Sequence, residues 1–146
     1  PYTPAVNLVF ALDEALKMMR EEGLDNIFLR HNNHKLAMSN AVKALNLKLF
    51  ADEKYLSPSI TAIKTDGMDA EEFRKTIKNN FDILLAGGQD HLKGKIFRVG
   101  HLGYVSDRDI ITVVSAISNT LLELGQITAQ QAGEASLVVS KYLKGN

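Results

Sequence analysis

The chain has 146 residues, 45% of them hydrophobic and 23% charged, with 17 basic side chains balanced by 17 acidic ones and no cysteine. That length suffices for one domain with a real core, and the zero net charge leaves no basic excess to grip a nucleic-acid backbone. Without cysteine there is no disulfide, no zinc–thiolate site and no cysteine nucleophile, which fits a reducing compartment.

No apolar run reaches membrane-spanning length, and no signal-peptide pattern opens the chain. The first residue is Pro1, so a processed chain or a piece of something longer is expected. Pro1-Tyr2-Thr3-Pro4 is extended, because each proline restrains itself and the residue before it. Leu8, Leu12, Ala15 and Met19 then recur at helical spacing and predict a helix to about Glu22, with Gly23 as its C-terminal cap. Asp25 or Asn26 is expected to cap a second helix that runs to about Leu45. In it Ala37, Ala41 and Ala44 form a small-residue stripe flanked by Met38, Val42 and Leu45. Ahead of the stripe, Arg30 to Lys35 is polar all round, as in a solvent-crossing or interface segment.

Leu47 to Phe50 reads as a short edge strand and Tyr55 to Pro58 as a loop. Ser59 to Thr65 alternates and is β-branched, so it predicts a strand. Asp69 caps the next helix, with Glu72 as the expected reciprocal partner and Phe73, Ile77 and Phe81 as its buried stripe. Ile83 to Ala86 reads as a short strand ended by Gly87-Gly88. The loop Gln89 to Gly94 leads into the strand Lys95 to His101. Ser106 with Asp109 is a capping box for a helix whose apolar face is Ile110, Val113, Val114, Ile117 and Leu121, ending near Gly125. Thr128 with Gln131 caps a last helix through Leu143. The expected fold class is α+β: a small, mostly antiparallel sheet with helices on one face, preceded by two helices and followed by a C-terminal one.

Candidate chemistry is sparse. Alternation in Lys95 to Gly103 puts Phe97, Val99 and His101 on one face and Ile96, Arg98 and Gly100 on the other. Arg98 is then either a solvated arginine on an edge strand or a planar fork for a carboxylate. His31 and His34 are three apart on a helix, but no partner at a supporting spacing completes a metal site, and a solvated surface is expected. Gly87-Gly88 with Gly94 match no phosphate loop, and a hairpin using glycine for positive φ is favoured. His91 and His101 lack an evident partner and read as loop or strand-end residues. Ser57, Ser59 and Ser106 lack a nucleophile-elbow context.

Taken together, several segments resemble the C-terminal part of a class V, fold-type I pyridoxal-phosphate aminotransferase. They are Tyr2 to Val6, the Leu8–Gly23 helix, Leu45 to Phe50, Ser57 to Thr61, Phe81 to Ile83 with Gly87-Gly88, and Gly94 to Gly103. The nearest group is the alanine–glyoxylate and serine–pyruvate aminotransferases, which includes proteins labelled as the small subunit of a soluble hydrogenase. The set covers roughly residues 1 to 125, and its most specific piece is the Gly94-Lys95-x-x-Arg98-x-Gly100-His101-x-Gly103 run.

The resemblance implies that Arg98 binds the α-carboxylate of the amino- or keto-acid substrate. It implies that Thr3 reaches across a homodimer to the cofactor phosphate of the partner subunit. Residues 1-23 would be a helix from the end of the large domain and 24-146 the small domain, with 126–146 an extra packing helix. The implied reaction moves an amino group between a small amino acid (alanine or serine) and a 2-oxo acid (glyoxylate or pyruvate) in the cytoplasm, with no metal, nucleic-acid or membrane partner. The Schiff-base lysine would lie upstream of Pro1, since Lys17, Lys64 and Lys95 match no such context, so the 146 residues alone would not transaminate. Two rival readings are a stand-alone ligand-binding α+β module using Arg98, and an assembly module using the open sheet face and the alanine stripe.

Overall fold

In the computed structural model, residues 3–143 are described. They contain five helices and a four-stranded antiparallel sheet, an α+β arrangement as expected. They fall into two compact units, Pro1–Arg30 and His31–Asn146.

The first unit holds α1 (Val6–Glu22) and the start of α2 (Leu24–Ala44). α1 has no buried residue, and Leu8, Val9, Phe10 and Leu12 are all exposed. Gly23 ends it as expected, at φ +84°, a conformation that favours glycine. α2 begins one residue later, so neither Asp25 nor Asn26 is its cap; the Asn26 side chain instead donates to the Glu22 carbonyl at 2.8 Å. Arg30 makes a two-point contact with the Glu22 carboxylate, at 2.5 Å from Nε and 2.9 Å from Nη2.

The second unit is built on β1 (Lys48–Leu49), β2 (Ile60–Lys64), β3 (Ala86–Gly87) and β4 (Ile96–Gly100), in the spatial order β1-β2-β4-β3. Two central pairs set the register: Ile63 opposite Phe97 and Ala62 opposite Arg98. Period-2 alternation therefore gathers Thr61, Ile63, Phe97 and Val99 on one face, where all are buried. The helices cover that face. Ala37, Met38, Ala41, Val42 and Leu45 of α2 join Phe73 and Ile77 of α3 (Ala70–Phe81) and the Ile110, Val113, Val114, Ile117, Leu121 stripe of α4 (Asp107–Glu123). Phe73 and Phe97 meet as tilted rings 5.1 Å apart. Ala37 and Ala41 of the alanine stripe are thus buried in the core, with Ala44 partly buried against it, so the stripe is not a free assembly surface. α5 (Ala129–Tyr142) closes the core through Ala135 and Val139.

Both capping boxes form as read, Ser106 with Asp109 and Thr128 with Gln131. At α3 the box is one-sided: Asp69 accepts from the Glu71 N–H, and Glu72 is exposed without reciprocating. The third strand lies later than the apolar run suggests, because only Ala86 and Gly87 reach β4. Leu85 is buried ahead of it, and its carbonyl accepts from Arg74 Nε at 2.7 Å.

Candidate functional site

β4 lies between β2 and β3, so Arg98 is on an interior strand and not on an edge. Its cross-strand neighbours on the outer face are Ala62 and Ala86, with exposed Gly100 two residues on. Small residues on both sides leave the guanidinium unobstructed. Its Nε donates to the Gly87 carbonyl at 3.0 Å, which fixes the plane of the group from one edge. No carboxylate pairs with Arg98 among the described residues. A half-buried guanidinium steered by a backbone carbonyl, with both terminal nitrogens lacking an acidic partner, is prepared for a planar anion.

Gly87 and Gly88 serve close approach, not the positive φ expected of them; among this loop's glycines only Gly94 has it, at +75°. A Cβ on Gly87 would run into the Arg74 guanidinium, and one on Gly88 into the Leu92 carbonyl, where a 3₁₀ turn over Asp90–Leu92 folds back beside Ile96. That turn explains why Ile96 is buried although it shares the outer face with Arg98.

The histidines depart most from expectation. His34 is completely buried, not solvated, and its Nε2 lies 2.9 Å from Asp107 Oδ1 at the start of α4. Its Nδ1 has no hydrogen-bond partner among the described residues. His101 is completely buried too. Its Nδ1 lies 3.0 Å from the Pro58 carbonyl, which can only accept, so this nitrogen carries the proton. Nε2 then accepts from the Thr61 hydroxyl at 2.9 Å. Burial pushes the ring's pKa down to about 4, against the Pro58 contact, which raises it; His34 and His31 lower it further. The Gly103 N–H donates to His31 Nε2 at 3.2 Å. Sequence pattern could not show this grouping, because its partners are 40 to 73 residues apart.

His91 is exposed. Ser57 and Ser59 bond each other at 3.0 Å, and Ser106 caps α4, so none is prepared as a nucleophile. No group of three or more metal-ligating side chains among the described residues is placed to hold a metal ion. Thr3 is exposed in the segment ahead of α1.

No family model matches the chain. A soluble hydrogenase 42 kDa subunit of Anabaena cylindrica is 57% identical over 125 residues, covering 86% of this chain and 33% of that protein. A serine–glyoxylate aminotransferase of Methylorubrum extorquens is 32% identical over 148 residues, covering 100% of this chain and 36% of that one. Among solved structures, the ureidoglycine–glyoxylate aminotransferase of Bacillus subtilis superposes with a TM-score of 0.87 at 32% identity, covering 96% of this chain and 37% of the other. The pyridoxamine–pyruvate aminotransferase of Mesorhizobium loti gives 0.86 at 29% identity, over 97% and 37%. With aminotransferases recurring in both sequence and fold, the chain belongs to the class V aminotransferase family. It spans 33% to 36% of the length of the curated relatives named here.

Proposed function

We propose that the chain is the C-terminal small domain of a pyridoxal-phosphate aminotransferase, that the intact enzyme moves an amino group between a small amino acid (alanine or serine) and glyoxylate or pyruvate, and that Arg98 anchors the substrate carboxylate. The observation that carries this is Arg98 itself. It lies on an interior strand, is oriented through Nε by Gly87, and lacks an acidic partner among the described residues. The names of the relatives support the substrate class, since glyoxylate recurs as the acceptor.

The described residues do not make a complete cofactor pocket. Every described lysine is at least partly exposed, so none has the enclosed setting of a Schiff-base lysine. The cofactor-bearing lysine belongs, in this reading, to a large domain whose last helix is residues 1–23, with 24–146 as the small domain. Thr3 would approach the cofactor phosphate of the second subunit of a cytoplasmic homodimer. The chain's own part is positional: the fork fixes the acid's carboxylate at two points and so sets the orientation of its α-carbon.

The test is Arg98→Ala and Arg98→Lys in the intact protein, with L-serine or L-alanine as donor and glyoxylate as acceptor. A charge-assisted hydrogen bond contributes about 1.5–3 kcal/mol, so losing the fork lowers kcat/KM by roughly 10- to 150-fold. Lysine restores only part of this, because it supplies a point charge without the planar geometry. Unchanged KM and kcat in Arg98→Ala would sink the assignment.

A further inference from the structure

β4 ends at Gly100, and the chain runs on through His101 to Gly103, whose φ is +85°. Two glycines in four residues give this stretch wide backbone freedom. Crowding does not restrain the two glycines themselves, since a Cβ at either would meet nothing within 4 Å. What restrains the stretch is hydrogen bonding. The His101 N–H donates to the Ser59 carbonyl at 2.9 Å, its Nδ1–H to the Pro58 carbonyl at 3.0 Å, and its Nε2 accepts from Thr61 at 2.9 Å. The His31 ring takes the Gly103 N–H. One buried residue therefore ties the end of β4 at three points, to Thr61 of β2 and to Pro58 and Ser59 just ahead of that strand.

We propose that His101 is a positioning residue for Arg98, holding the β2–β4 ladder closed as the Nδ1–H tautomer so that the guanidinium stays where a substrate carboxylate meets it. This rests on the reading of Arg98 as the carboxylate anchor. Arg98 is held on the β3 side by the Gly87 carbonyl. On the β2 side its placement depends on the ladder, in which Thr61, the residue His101 grips, neighbours Arg98's partner Ala62. With the pin removed, that end of the ladder frays and the fork shifts. A displacement of about 1 Å at a two-point contact can cost up to about 100-fold in rate, and a frayed ladder end permits part of that shift.

The experiment is a double-mutant cycle in the intact protein, read as KM for glyoxylate against kcat with L-serine as donor. His101→Ala raises KM about tenfold, with a smaller change in kcat. His101→Asn, which keeps a donor near the Nδ1 position, recovers much of the loss. In the Arg98→Ala background, His101→Ala adds less than about twofold, because the residue it positions is gone. Equal fold-changes in both backgrounds, or an unchanged KM in His101→Ala beside a raised one in Arg98→Ala, overturn the proposal. An unchanged KM in Arg98→Ala alone overturns the reading of Arg98 instead. Should His101→Ala not fold, NMR of the unsubstituted protein with nitrogen-15 histidine decides: a neutral ring protonated on Nδ1 is expected, and one protonated on Nε2 refutes the pin.

Discussion

The low pKa of His101 makes fold stability depend on pH in a defined window. Burial is the main cause of the depression to about 4, and the ring is completely enclosed. In the unfolded chain the same ring titrates at its ordinary value of 6.5. Below that pH the unfolded chain takes up a proton that the folded chain refuses. Stability from this residue is therefore fully present above pH 6.5 and is lost as the pH falls toward 4. The slope is about 1.4 kcal/mol per pH unit, so going from pH 7 to pH 5 costs roughly 1–2 kcal/mol, the lower figure allowing for partial hydration of the charged ring. The Thr61 hydroxyl can turn to accept from a protonated Nε2, so the cost lies in enclosing the cation more than in a broken bond. His31 and His34 on α2 face the same ring and add like charge if they protonate, while Asp107 on α4 partners His34. Urea denaturation of the intact protein at pH 7, 6 and 5 should show the midpoint falling by about 0.5–1 M. His101→Asn should start lower and fall less over the same range. Parallel pH dependence in the two proteins would refute the reasoning, as would a His101 proton resonance that titrates with a midpoint above 6.

Three further outcomes follow from the core and its edges. Phe97→Ala removes a fully buried ring packed 5.1 Å from Phe73 and should cost about 3–5 kcal/mol in urea unfolding. Gly88→Ala and Gly133→Ala should have opposite signs. The first drives a methyl group into the Leu92 carbonyl and destabilises; the second meets nothing within 4 Å inside α5 and should stabilise by about 0.5–1 kcal/mol, read as a shift in melting temperature. Ser106→Ala breaks the capping box of α4 and should cost about 0.5–2 kcal/mol in the same assay.

What the sequence made legible is what local physics decides. The α4 stripe and the two capping boxes depend on spacings of three and four residues, and each forms as read. Failures come where tertiary contact overrides the local signal. Ile83 to Leu85 has the apolar character of a strand, yet Leu85 goes to the core and only Ala86 and Gly87 pair. Arg30 to Lys35 reads as a polar surface, yet His34 is swallowed because Asp107, 73 residues away, satisfies its Nε2. No window of the chain contains that partner.

The alternation of β4 joins the legible part to the illegible part. It correctly placed Phe97, Val99 and His101 opposite Arg98, because a strand can bury only one of its faces against these helices. It could not show whether the strand was an edge, which depends on β2 and β3 flanking it, where Ala62 and Ala86 pair with Arg98 from 36 and 12 residues earlier in the chain. That placement changes the meaning of the arginine. On an edge it would lean into water and bind little; between two neighbours that present only Ala62 and Ala86, it is gripped by the Gly87 carbonyl and unobstructed on its outer side. A slip of one residue in the β2–β4 register would turn Arg98 into the core and Phe97 out of it, so the packing that stabilises the fold also forbids any other aim for the guanidinium. Fold stability and the carboxylate recognition proposed for Arg98 are thereby coupled through a single strand.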